Sequence, residues 1–271
     1  MLARIPIVRF ENGAATAPSA EEVASEEPLE IRVEGEPLVV AMRTPGQDRE
    51  LAAGWLLSEG LVRAAADIAD IVARPDEDAS RAAMVDVMLA DSSRFHAAKH
   101  RRAVLSNSSC GLCGAASVAQ VLRDFPKIET SFLINANVLQ SLPMLLAENQ
   151  PTFQRTGGIH ACALFSLEGT LIAVREDVGR HNALDKLIGW ALISGRMPLR
   201  DCVLLLSGRV SFEMIQKALA AGIALVAAIG APSSLAVELA TTSGMTLVAF
   251  LRERTFNVYC GEKRICGTGA L

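Results

Sequence analysis

Residues 202–252 read CVLLLSGRVSFEMIQKALAAGIALVAAIGAPSSLAVELATTSGMTLVAFLR. Three short apolar runs stand out: Cys202 to Leu206, Leu225 to Ile229 and Thr246 to Arg252. Each is too short for a typical helix, so each reads as a buried strand. Ser211 to Ala221 and Ser233 to Ser243 lie between them with helical spacing of their apolar positions. Alternating strand and helix predicts an α/β layer around a largely buried sheet. Working outward, Ala161 to Ser166 and Leu171 to Arg175 flank a Leu167–Thr170 turn and read as strands. Asn182 to Ser194 reads as a helix, and Asn257 to Tyr259 as a strand at an edge.

The upstream half has a different texture. Glu11 to Pro28 is rich in Ala, Ser, Pro and Glu and reads as part of a mobile leader, residues 1–29. Ile31 to Thr44 reads as a hairpin turning near Gly35. Asp48 is a candidate N-cap for a helix ending near Glu59 and closed by Gly60. Ala83 to Leu89 alternates like a strand. Ala115 to Phe125 and Asn137 to Asn149 read as helices, the second with a kink or a late start at Pro143. These elements predict a smaller N-terminal α+β domain over residues 30–135, and a boundary near residue 136. A larger mixed-sheet α/β domain follows over 136–271. The chain is therefore α/β in class, α+β overall.

Composition narrows the function. The 271 residues carry a net charge of −4, are 51% hydrophobic and contain only 4% aromatics. An acidic, aromatic-poor chain without a basic tract lacks the usual nucleic-acid footprint. Met1 to Phe10 has no signal-peptide run, and the apolar stretch Ala218 to Ala231 is too short to span a bilayer. A cytoplasmic protein with no membrane attachment is expected. Its six cysteines are then expected to be mostly reduced, with Cys162 and Cys202 as small core residues.

Cys110 and Cys113 form Ser-Cys-Gly-Leu-Cys-Gly, residues 109–114. Such a pair can hold a metal, cycle as a disulfide or carry sulfur as a persulfide, and every use runs through thiolate. His100, Arg101 and Arg102 would favour that form if the loop folds back on them. Structural zinc needs two further ligands, and Cys260 and Cys266 are poorly spaced for it. A thioredoxin-like role fits the polar Asn-Ser-Ser lead-in weakly.

Four further segments concentrate chemistry. Thr156-Gly-Gly-Ile-His160 precedes a strand, with glycines that permit close backbone approach. Arg175-Glu-Asp-Val-Gly-Arg-His-Asn182 packs charge at a strand-to-helix junction, where α/β folds hold ligands. Ser207-Gly-Arg-Val-Ser-Phe-Glu213 opens a helix with an Arg and two hydroxyls, suited either to an anion or to capping. Phe250-Leu-Arg-Glu-Arg-Thr255 ends a strand with two cations.

Taken in order, these segments and Ala-Pro-Ser-Ser-Leu-Ala (231–236) resemble the formate dehydrogenase accessory sulfurtransferase family, FdhD. The resemblance covers roughly residues 30–260 and is most specific over 175–186. It implies a sulfurtransferase that takes persulfide sulfur from a cysteine desulfurase. The sulfur goes to the molybdenum (or tungsten) bis(molybdopterin guanine dinucleotide) cofactor before formate dehydrogenase receives it. Cys110 would carry the persulfide, and Cys113 would assist or receive the sulfur. Phe250, Leu251, Arg252, Glu253, Arg254 and Thr255 would contact the guanine dinucleotide, with His160, Asp177, His181, Ser207 and Arg209 also facing the cofactor. A homodimer and a cytidine-deaminase-like larger domain are implied as well. Deamination itself is disfavoured, since His160-Ala161-Cys162 lacks the His-x-Glu, and Pro-Cys-x-x-Cys is absent. No permanent metal is expected. A non-catalytic cofactor chaperone is the other reading.

Overall fold

The computed structural model describes residues 2–74, 83–95 and 127–267. In chain order the strands are β1 (Leu2–Ile7), β2 (Phe10–Glu11), β3 (Ala14–Ala15), β4 (Ser19–Ala24), β5 (Glu27–Val33), β6 (Glu36–Arg43), β7 (Ile68–Arg74) and β8 (Ala83–Leu89). They continue as β9 (Ile134–Asn135), β10 (His160–Ser166), β11 (Leu171–Asp177), β12 (Cys202–Leu206), β13 (Leu225–Ala228), β14 (Thr246–Ala249), β15 (Asn257–Cys260) and β16 (Ile265–Cys266). The α-helices are α1 (Asp48–Ser58), α2 (Ala136–Glu148), α3 (Pro151–Thr156), α4 (Arg180–Ile193), α5 (Phe212–Ala220) and α6 (Ser234–Thr242).

The apolar runs of 202–249 become β12, β13 and β14, parallel neighbours joined through α5 and α6. They sit inside a six-stranded mixed sheet of order β11-β10-β12-β13-β14-β15, whose other pairings are antiparallel. Asn257–Cys260 lies at its edge, as its sequence suggests. Alternation along each strand fixes the two faces. Ala163, Phe165, Val203, Leu205, Leu225, Ala227 and Val248 face α2 through Leu139, Leu142 and Leu146. Cys162, Leu164, Leu204, Leu206, Val226 and Leu247 face the opposite layer, which holds Leu184, Leu187 and Ile188 of α4. Each fully buried Leu contributes roughly 1.5–3 kcal/mol of transfer free energy.

Beyond α4 lies α1, and beyond α1 a four-stranded sheet of order β6-β5-β8-β7. The four-stranded sheet draws on residues 27–89 and the six-stranded sheet on 160–260, yet the two share a core. One apolar cluster runs from Leu29, Ile31 and Leu51 through Leu187 and Leu204 to Leu247. The seam is close because Gly54 of α1 meets Gly189 of α4. A Cβ on Gly54 would lie 1.8 Å from the Asp185 carbonyl oxygen.

Several local expectations are corrected. Residues 2–24, expected to be a mobile leader, form an antiparallel β1–β4 pairing and the short β2–β3 ladder. Arg155 of α3 grips Glu22 of β4 with two bonds, 2.9 and 2.7 Å. Asp48 is the first residue of α1, not its cap; Gln47 takes that place at φ 55°. The Asp48 carboxylate is used instead by the buried Arg43 guanidinium, at 2.9 and 3.0 Å. A buried cation left unpaired costs more than an imperfect cap, so the ion pair wins. Helix α2 runs through Pro143 and starts at Ala136, with Asn135 capping it. Strand β14 stops at Ala249 rather than Arg252, because Phe250 turns to φ 52° and the Leu251 N–H donates to the Ala228 carbonyl. Cys162 is buried as expected, whereas Cys202 is only half-buried.

Candidate functional site at one edge of the mixed sheet

Parallel β12, β13 and β14 end at one edge of the sheet. Antiparallel β10 begins there and β11 ends there, with His160 opposite Asp177. Four of the five chemistry-bearing segments therefore converge on one edge: 156–160, 175–182, 207–213 and 250–255. This is the usual place for a ligand on an open α/β sheet. The loops are laced together by their backbones. Gly230 N–H donates to Gly208 O (3.1 Å), Phe250 N–H to Gly230 O (3.2 Å) and Ser233 N–H to Val210 O (2.9 Å). A Cβ on Gly230 would stand 2.5 Å from Gly208 O, so only glycine permits this approach.

The charged junction 175–182 divides its labour. Arg175 pairs with Glu50 of α1 at 2.5 and 2.8 Å and lies 5.7 Å from the Trp190 ring centre. Glu176 accepts the Thr152 and Phe153 N–H groups at the start of α3 (3.0 and 2.9 Å). Asp177, fully buried, is saturated. Its Oδ1 accepts Gly179 N–H (2.8 Å) and Asn182 Nδ2 (3.0 Å), and its Oδ2 accepts Thr44 N–H (3.1 Å) and lies 2.7 Å from Lys186 Nζ. Lys186 Nζ also donates to Thr44 O, and Asn182 to Met42 O, both at 2.8 Å. The helix expected from Asn182 therefore starts two residues earlier, at Arg180, with Gly179 as its N-cap. Asp177 positions the loop and has no oxygen to spare for a ligand, which corrects its expected contact role. Arg180 and His181 follow as the first two residues of α4.

His181 Nε2 lies 2.9 Å from Glu213 Oε2 and 3.5 Å from Ser211 Oγ. His160, half-buried, rests its ring against Gly208. Burial above all, then the charges of Arg180, His181 and Arg209, hold its pKa below the usual 6.5, with Asp177 opposing. Ser207 Oγ accepts the Ala161 N–H at 2.9 Å and so joins the β12 loop to β10. Arg209 is exposed.

The 250–255 turn is mixed. Phe250 is 42% exposed in left-handed backbone, a conformation that costs a non-glycine residue about 1–3 kcal/mol. Arg252 is exposed, yet its guanidinium donates to the carbonyls of Ile229 and Leu251, both at 2.8 Å. Glu253, Arg254 and Thr255 are exposed. Leu251 is wholly buried against the α2 face, so its side chain belongs to the core rather than to a ligand.

Cys110 and Cys113, with His100, Arg101 and Arg102, lie outside the described residues. Among the described residues no group of three or more His, Cys, Asp or Glu side chains is placed to hold a metal ion. None of the described helices is long and apolar enough to cross a membrane. Sequence reasoning passed over Thr44 and Arg180. Thr44 carries no motif, and its partner Asp177 is 133 positions away. Arg180 sat inside a quoted motif; a charged first residue of a helix at the sheet edge was the available signal.

Residues 24–266 match the model of the FdhD/NarQ family. The chain belongs to that family. FdhD/NarQ relatives include the sulfur carrier protein FdhD of Streptomyces avermitilis, 49% identical over 97% of this chain and 95% of that one. The sulfur carrier protein FdhD of Nocardia farcinica is 48% identical over 92% and 90% respectively. The fold matches a crystal structure from Desulfotalea psychrophila, of a protein assigned to the formate dehydrogenase accessory proteins. The TM-score is 0.79, at 25% identity, over 98% of this chain and 99% of that one.

Proposed function

We propose that this FdhD/NarQ chain is a sulfur carrier and sulfurtransferase for the molybdenum bis(molybdopterin guanine dinucleotide) cofactor needed by formate dehydrogenase. Its sulfur comes from a cysteine desulfurase. The observation that carries the reading is a dicysteine motif on a chain 49% identical, over 97% of its length, to a protein named as a sulfur carrier. The converging loops supply the complementary half, a cation-rich sheet edge suited to a phosphate-bearing ligand.

In the first step the Cys110 thiolate attacks the terminal sulfur of the donor's persulfide. An S–S bond forms on Cys110, the donor cysteine leaves as thiolate, and no net oxidation occurs. In the second, the Cys113 thiolate attacks the inner sulfur of the Cys110 persulfide. A Cys110–Cys113 disulfide forms and the outer sulfur leaves as sulfide for the cofactor's metal; the two thiols supply the two electrons. Cellular dithiol then restores the pair. His160, His181, Ser207, Arg209 and the 250–255 turn would hold the cofactor, with Leu251 contributing backbone alone and Asp177 keeping the loop in place. We place this work in the cytoplasm, on a homodimer.

The test is to incubate the full chain with a desulfurase and cysteine, then locate the added sulfur by mass spectrometry. It is expected on Cys110 and lost in Cys110→Ala. Undiminished loading of Cys110→Ala, or a Cys110→Ala/Cys113→Ala chain that still restores formate dehydrogenase activity to a deletion strain, overturns the proposal.

A further inference from the structure

Arg180 opens α4 at the ligand edge of the sheet. Its Nε is buried and is the single buried side-chain nitrogen or oxygen among the described residues without a hydrogen-bond partner. Buried guanidinium donors normally find a carboxylate, a carbonyl or a bound anion. Arg175 pairs with Glu50, Asp177 with Lys186 and His181 with Glu213, while Glu176 accepts two N–H groups of α3. Neither Arg180 nor Arg209 forms a salt bridge with another described residue.

Both cations act on the His160 ring, which rests against Gly208, the residue before Arg209. The charged groups that bear on it are Arg180 and His181 from α4, Arg209 from the loop after β12, and Asp177 from β11. Asp177 is already committed to Lys186 and three donors. Cations thus outweigh anions at the His160 ring, with Glu213 of α5 also within reach of Arg180. Two helix starts reinforce it: α4 and α5 begin at Gly179 and Ser211 with no side chain capping them, whereas Ser233 caps α6. Free first-turn N–H groups and a guanidinium side by side are what a phosphate recognises.

We propose that Arg180, Arg209 and His160 form a seat for a phosphate or diphosphate group, with Arg180 as the anchoring donor. The seat rests on the reading of this edge as a nucleotide-cofactor site, and it names which part of that ligand docks there: the charged link between its two halves. The bound anion satisfies Arg180 Nε and draws a proton onto His160.

The probe is inorganic pyrophosphate, titrated by calorimetry into the full chain at low salt. Saturable binding is expected. Arg180→Gln and Arg209→Gln should each weaken it about tenfold or more. Arg180→Lys should recover only part of the loss, because an ammonium lacks the planar fork. Arg200→Gln is the control; Arg200 is exposed and precedes β12 at the far edge. No saturable binding, an unweakened folded Arg180→Gln, or equal weakening by Arg200→Gln overturns the seat.

Should Arg180→Gln not fold, the exposed Arg209→Gln and the His160 ring proton decide. Saturating pyrophosphate should move the His160 titration upward by NMR, and an unmoved curve refutes the seat. The two readings fail separately. Sulfur loading on Cys110 without pyrophosphate binding removes the seat alone; pyrophosphate binding without sulfur loading removes the carrier function alone.

Discussion

Gly54 and Gly189 touch backbone to backbone where α1 crosses α4. A Cβ on Gly189 would lie 1.8 Å from the Glu50 carbonyl oxygen and 2.7 Å from Gly54 N. Neither helix can give way without disturbing the apolar cluster on both sides of it. Gly54→Ala or Gly189→Ala should cost about 3 kcal/mol or more by overpacking, despite alanine's better helix propensity. Thermal melts should show a fall of roughly 6 °C or more. An unchanged melting temperature in either variant would contradict this crossing.

Asp177 is the knot of the ligand loop. Asp177→Ala leaves Lys186 charged and wholly buried, and strips acceptors from Thr44, Gly179 and Asn182. Removing one partner of a buried pair costs about 3–5 kcal/mol. Urea denaturation should record the loss. A direct ligand contact would instead leave the urea midpoint near wild type and change ligand affinity alone.

His160 gives the fold a pH dependence whose sign follows from its environment. Burial and neighbouring cations lower its pKa from 6.5 in the folded state, so protons bind the unfolded chain more readily. The stabilising contribution is complete above 6.5 and drains away as pH falls from 6.5 toward the depressed value. Urea midpoints measured between about pH 5 and 8 should decline on the acid side, and His160→Gln should flatten that part of the profile. A steeper decline in the variant would reverse the assignment.

Cys162 should be chemically silent. It is fully buried beneath α4, and burial drives its thiol pKa far upward, helped by Asp185 and Asp177. Alkylation of the native chain followed by peptide mass spectrometry should leave Cys162 unmodified until denaturant is added. Rapid labelling in native buffer would show that the α4 layer opens.

Among the described residues the β1–β4 unit adds none to either apolar cluster, and Glu22 ties it to Arg155 of α3. Deleting residues 1–24 should therefore shift the melting temperature by no more than a few degrees. A collapse of the fold on truncation would reveal a structural debt at odds with its exposed position.

The strands and helices of 160–260 were legible because a sheet buried on both faces writes itself as short apolar runs, and helices between parallel strands write themselves at helical spacing. Cys202–Leu206 and Ala83–Leu89 have the bounds that the pattern suggests. Less legible were features that depend on distant partners. Asp48 looks like a cap until Arg43 is seen to need it, and Phe250 looks like strand until its backbone turns. The Gly54–Gly189 approach joins positions far apart in sequence, so neither glycine announced it. In the ligand loop, composition marked the segment yet could not say which charges faced inward. Arg175, Glu176 and Asp177 bind the protein itself, and only their places on β11 reveal it.

The shared seam between α1 and α4 limits how this gene could be divided. A fragment ending near residue 135 would present one wall of a common interior to water, and a fragment starting there would present the other. Neither piece is built to stand by itself, but each carries the surface that the other lacks. Co-expressed halves should reassemble where separately purified ones aggregate.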